Sequence, residues 1–99
     1  MYILIPVDNS NGNNSNITTL INLKFWALIN FDEGQVKSLE FFEKREDISV
    51  GWIDFIILEN RYEAYIEFMN EGMMILVRRE ENTIEEIISA FRFKELDEV

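Results

Sequence analysis

Neither cysteine nor histidine occurs in this chain, which removes thiolate and imidazole together, the groups that hold zinc, copper and iron-sulfur clusters. Only carboxylates could bind a metal ion from within the sequence, so no metal site is assigned, and no catalytic residue is assigned either. What remains is the chemistry of acidic, amide and guanidinium side chains placed at the ends of apolar runs. Asp8 closes the run Tyr2 to Val7, Glu59 follows Ile53 to Leu58, and Arg78 with Arg79 follows Met73 to Val77. Asn60 and Arg61 stand where a helix is expected to begin, and free N–H groups and the dipole at a helix start favour an anion. Residues 8 to 22, ending at Asn22, form a long asparagine-rich polar stretch, and long loops in compact domains are usually functional or mobile. Met69, Met73 and Met74 carry thioethers that suit Cu(I), but their places in a helical stripe and a strand fit core packing better.

The elements that would position these residues are clearest from Ile53 to Phe91. Ile53 to Leu58 is an almost unbroken apolar run of strand length, the pattern of a strand buried on both faces. Asn60 with Glu63 has the spacing of a capping box, Tyr62, Tyr65, Ile66 and Met69 form an apolar stripe, and Gly72 can end the helix in the left-handed conformation. Met73 to Val77 reads as a strand, and Thr83 with Glu86 repeats the capping box ahead of the stripe Ile84, Ile87, Ile88 and Phe91. Upstream, Tyr2 to Val7 is a strand in which Pro6 must avoid a ladder N–H, and Leu23 to Phe31 and Gln35 to Glu43 form a hairpin about Asp32-Glu33-Gly34. Lys44 to Asp47 is a charged connector. This order predicts a mixed α/β sheet of five strands, with the first strand, the central strand and Met73 to Val77 parallel and adjacent.

At 99 residues and 47% hydrophobic composition the chain holds one core, so residues 1–99 are expected to form a single domain. The formal net charge of −10 opposes nonspecific nucleic-acid binding and is compatible with a basic protein partner or simply with solubility. No apolar run approaches the ~20 residues that span a bilayer. The lack of cysteine excludes disulfides, and with no signal-peptide pattern the expected location is cytoplasmic. Asn13-Asn14-Ser15 and Asn16-Ile17-Thr18 match the glycosylation pattern, and without an export signal they read as chance matches.

The stretches Ile3-Leu4-Ile5-Pro6-Val7-Asp8, Trp26 to Phe42 with its Asp-Glu-Gly turn, Ile53-Asp54-Phe55-Ile56-Ile57, Glu71-Gly72, and Asn82-Thr83-Ile84-Glu85-Glu86 leading to Ala90-Phe91 cover most of the chain. In order and spacing they resemble the dinitrogenase iron-molybdenum cofactor biosynthesis domain family, a small ribonuclease H-like α/β fold. Three features depart from that family. Its His-Phe-Gly-Arg stretch falls on Thr19-Leu20-Ile21-Asn22, with none of its residues present. Its glycine-rich turn after the central strand is replaced by Glu59-Asn60-Arg61, and its first helix is deleted, leaving only Lys44 to Trp52.

The resemblance implies a non-catalytic protein that binds or carries iron-sulfur or iron-molybdenum cofactor precursors transiently, with none held by its own side chains. It also implies that Asp8, Glu59 and Arg78 gather at one sheet edge under the asparagine-rich loop, where ligands of open α/β sheets bind. Asp8, Asn22, Glu59, Asn60, Arg61 and Arg78 are therefore the candidate ligand-binding residues, for an anionic or oxygen-rich ligand. In the simpler alternative, Glu59, Arg61 and Arg78 pair with one another in water. A ribonuclease H-like fold also raises a Mg²⁺-dependent nuclease, but only Asp8 and Glu59 could contribute, since Asp54 lies at the opposite edge and Asp32 in the hairpin turn.

Deletion of the family's helix leaves aromatic area without an obvious cover. Trp26, Phe41, Phe42 and Trp52 are the candidate interface residues, buried by a homodimer or a protein partner; a protein-interaction module that keeps only the scaffold is the rival function.

Overall fold

The computed structural model describes all 99 residues. Strands β1 (Tyr2–Val7), β2 (Phe25–Asp32), β3 (Gln35–Phe42), β4 (Phe55–Leu58), β5 (Met74–Val77) and β6 (Asp97–Glu98) form one mixed sheet in the order β3-β2-β1-β4-β5-β6. Helix α1 (Ile66–Asn70) links β4 to β5, and α2 (Ile84–Arg92) follows β5. β1 is central because its residues are apolar on both faces, with Ile3, Leu4, Ile5 and Val7 all fully buried. It runs parallel to β4, which runs parallel to β5, as expected for strands joined through a helix. The β1–β4 register passes through Ile3–Phe55 and Leu4–Ile56 and stops before Pro6, so proline sits where that ladder makes no demand on it.

The sheet has six strands, not five. The additional β6 is two acidic residues long, too short and too polar to show any strand pattern, and it pairs antiparallel with Leu76 and Val77. An Arg79–Asp97 ion pair at 2.9 Å and the buried Leu96 hold it there. In the hairpin, Asp32 pairs with Gln35 and both Glu33 and Gly34 have positive φ (52° and 77°), the type I′ geometry that suits a two-residue connection.

Helix α1 departs most from expectation. Asn60 Oδ1 accepts from the Tyr62 N–H at 2.9 Å, a local turn that competes with helix initiation, so the helix begins only at Ile66. Its buried face also shifts: Phe68 points inward with Tyr65 partly buried beside it, whereas Tyr62, Ile66 and Met69 of the expected stripe are exposed. Gly72 ends the helix as expected, at φ 94°.

Both faces of the sheet are covered. On one, α2 presses Ile84, Ile87, Ile88 and Ala90 onto Ile3, Ile5, Val7, Ala27, Ile29 and Ile57. On the other, Phe68 and Met73 meet Leu4, Trp26, Leu28, Ile56 and Leu58, and Ile48, Val50 and Ile53 fill the place of a helix between β3 and β4. The loop before β2 is also built in: Ile17 bridges to Val7 and donates its N–H to Asn82 O at 2.8 Å, and the Ile84 N–H donates to Ser15 O. No helix is long and apolar enough to cross a membrane.

Candidate functional site

The parallel strands β1, β4 and β5 bring their C-terminal ends to one sheet edge, and strand order reverses between β1 and β4, since the chain leaves β1 toward β2 and leaves β4 toward β5. A crevice beyond such a reversal is where open α/β sheets take ligands. The residues that follow β1, β4 and β5 there are Asp8, Glu59 and Arg78.

Arg78 and Glu59 meet, with Nη2 3.5 Å from Glu59 Oε1 and Nε donating to the Glu59 carbonyl at 3.3 Å. The same guanidinium donates through Nη1 to Glu81 O at 2.9 Å and to Asn82 Oδ1 at 2.6 Å. Arg78 is thus a brace between the β4 end and the start of α2, its donors largely spent within the chain. Asn60 follows Glu59 and is occupied by its own turn, while Arg61 is exposed and joins none of the ion pairs. Asp8 is not drawn into this group: its carboxylate accepts from Asn9 Nδ2 at 2.6 Å and its N–H donates to Asn16 O. Asn22 lies on the exposed loop, its N–H directed to Thr19 O.

The residue that organises this edge is Glu63. Its carboxylate accepts from the N–H groups of Glu59 and Asn60 (3.1 and 3.3 Å) and, at 2.6 Å, from Leu20 in the asparagine-rich loop. The first two contacts follow from the capping-box spacing. The third, across 43 residues, has no signal in the sequence. No three His, Cys, Asp or Glu side chains converge anywhere, and Asp54, at the far edge, is used in accepting the Tyr2 N–H at 2.9 Å. The donor set therefore does not fit an iron-sulfur or iron-molybdenum cluster as a group ligated by this chain.

The aromatic residues assigned to an interface divide. Trp26, expected on an uncovered face, is instead buried in its own chain, its ring 5.9 Å from that of Phe68. Phe41 and Phe42 are half-buried on opposite faces of β3, Phe41 edge-on to Phe25 at 6.4 Å and Phe42 in the Trp26 cluster. They do not form one patch, because alternation along a strand sends neighbours to opposite faces. Trp52 is 58% exposed and lies over Gly72, where an added Cβ would come within 2.6 Å of the indole Cη2. Beside it Arg45 forms a bidentate pair with Glu71 (3.0 and 2.7 Å) and lies over the rings of Trp26 and Phe68. That hydrogen bond, chiefly, holds the Glu71 carboxyl below the usual carboxylate range and raises Arg45.

No protein-family model matches the chain, and no curated protein matches its sequence. Solved structures do match, over almost its whole length. A structure from Methanocaldococcus jannaschii, provisionally named a dinitrogenase, superposes with a TM-score of 0.78 at 23% identity, covering 100% of this chain and 94% of its own. A Thermotoga structure provisionally named a NifB protein gives 0.67 at 19%, covering 98% and 91%. The apo form of the orange protein from Desulfovibrio gigas gives 0.73 at 10%, covering 99% and 92%. The chain therefore has the fold that these three structures share.

Proposed function

We propose that the chain is a non-catalytic binding or carrier protein related to iron-molybdenum and iron-sulfur cofactor biosynthesis, a divergent form of the ribonuclease H-like cofactor-biosynthesis domain. The observation that supports this is the end-to-end match to dinitrogenase-type structures, with strand order reversing at an edge roofed by a tethered polar loop. Without thiolate or imidazole, a cluster precursor would have to arrive with its own ligands and be met by hydrogen-bond donors, among them the exposed cations Arg61 and Lys24, the latter with its N–H on Val7 O at the end of β1. Anaerobic mixing with a reconstituted cluster, followed by gel filtration, tests the reading. Chromophore co-eluting at stoichiometric ratio, and reduced at least tenfold by Arg61→Glu, is the expected result; chromophore left wholly in the small-molecule fraction refutes it.

A second reading, a protein-interaction module, is favoured by one observation: Trp52, Ile66 and Met69, on or beside α1, are all substantially exposed. Sedimentation at micromolar concentration, alone and with co-purified proteins, tests it. Assembly abolished by Trp52→Glu without unfolding supports the module, and a monomer that captures nothing removes it.

A further inference from the structure

A cleft of about 640 Å³ opens at the sheet edge opposite the one just described, between the N-terminal ends of β1, β4 and β5, the hairpin turn and the end of α2. Its size lies within the ~300–1,000 Å³ of typical small-molecule sites. The interior is apolar and partly aromatic. Phe91 packs edge-on against both Phe31 (5.3 Å) and Phe55 (5.0 Å), and Met74 and Leu96 form part of the walls. Of the side chains lining the cleft, two are cationic, Arg92 and Lys94, and one, Glu98, is a carboxylate.

In a chain with 9 basic and 19 acidic side chains, this is a local reversal of charge. Neither cation belongs to an ion pair, since the guanidinium and carboxylate groups that pair are Arg45–Glu71, Arg78–Glu59 and Arg79–Asp97. Arg92 is held by its Nε, which donates to Gly34 O at 2.8 Å, and its guanidinium lies 5.6 Å from the Phe31 ring centre, over the aromatic wall. Lys94 occupies the left-handed position that closes α2 (φ 58°), with its N–H donating to Phe91 O and that of Glu95 to Ala90 O. Glycine or asparagine is usual at that position, and lysine stands there at a backbone cost. Attraction to the helix dipole accounts for a basic residue in the last turn. It does not account for two unpaired cations facing an apolar cleft.

We propose that this cleft binds a free monocarboxylic acid with an aliphatic or aromatic body, the carboxylate at Arg92 and Lys94 and the apolar part against Phe31, Phe55 and Phe91. The site is separate from the edge considered above, so its test does not depend on the cofactor reading.

The full chain, labelled with ¹³C at its methionine methyls, is titrated with octanoate, 1-octanol and octyltrimethylammonium. Octanoate is expected to shift the Met74 methyl saturably and to bind at least tenfold more tightly than octanol, with the ammonium compound weaker than either. The double substitution Arg92→Gln, Lys94→Gln, with the buried Met73 methyl unmoved as proof of fold, should reduce octanoate affinity to that of octanol. Met74→Trp, at a half-exposed position and read at the methyl of Met1, which also lines the cleft, should obstruct both. Equal affinity for octanoate and octanol, undiminished octanoate binding in the double variant, or a Met74 shift that follows protein concentration alone, as a second copy in the cleft would give, overturns the proposal.

Discussion

On one face of the sheet a helix of nine residues delivers four buried side chains; on the other a helix of five delivers one. The α2 cover is nearly self-sufficient, since its start is fixed by a complete capping box and its apolar stripe falls directly on β1, β2 and β4. The α1 cover is assembled from pieces distant in sequence: Phe68, the segment Ile48 to Ile53, and an arginine that fills space between two aromatic rings while bound to Glu71. A sheet face can therefore be closed without a long helix, provided connectors carry apolar side chains and one cation is neutralised in place. The cover so made should be the less cooperative of the two.

The sharpest test removes buried volume from the strong side. Ile87→Ala should lower global stability by about 2–5 kcal/mol, as large-to-small core substitutions do, read as a loss in urea midpoint with unchanged slope. In hydrogen exchange the buried α2 amides should open only with global unfolding, whereas those of α1 should exchange through local opening. Equal protection of the two helices would remove the distinction drawn here. Next in size is Gly72→Ala on the weak side, expected to cost about 1–2 kcal/mol because the residue stands at positive φ. The new methyl would also meet the Trp52 indole, so the indole N–H resonance of Trp52 should move. If that resonance stays fixed, Trp52 is not held on Gly72 as described. Thr83→Ala follows, at about 1 kcal/mol, because it deletes the hydroxyl that accepts from the Glu86 N–H at 3.2 Å. Its effect should be confined to α2 and the loop bridged to it, and protection lost instead in α1 would contradict that.

The same contrast explains what could be read in advance. The α2 capping box, its stripe, the hairpin and the parallel strands depend on residues a few positions apart, where the physics is local. α1 was misplaced because Asn60 has two short-range options and takes the turn, which shifts the inward face from Tyr62, Ile66 and Met69 to Tyr65 and Phe68. At the candidate site the meeting of Glu59 and Arg78 was legible because both follow apolar runs that became adjacent parallel strands. Glu63 reaching Leu20, and Ile17 docking beside Asn82, were not, because nothing in an asparagine-rich stretch indicates which backbone group will find a distant partner. The burial of Trp26 was missed for a related reason: its neighbours Phe68 and Arg45 come from separate segments.

The smallest effect separates the two covers by pH. The Glu71 carboxyl lies below its ordinary 4.5, first through its hydrogen bond from Arg45 and then through Coulomb attraction to it, with burial opposing. Glu86 is lowered likewise, chiefly by accepting from the Thr83 and Asn82 N–H groups. A carboxyl whose pKa is depressed on folding contributes stability above its unfolded value and loses that contribution as pH falls through the folded value. Acidification from neutrality to below 4.5 should therefore weaken α1 through Glu71 and the start of α2 through Glu86. The Arg45–Glu71 side chains are 25% and 40% exposed, so solvent screening limits that pair to about 1 kcal/mol or less. Glu71→Gln should flatten the pH dependence of protection factors in α1 and leave that of α2 intact, and Glu86→Gln should do the reverse. If either substitution flattens both profiles equally, the two covers are one cooperative unit.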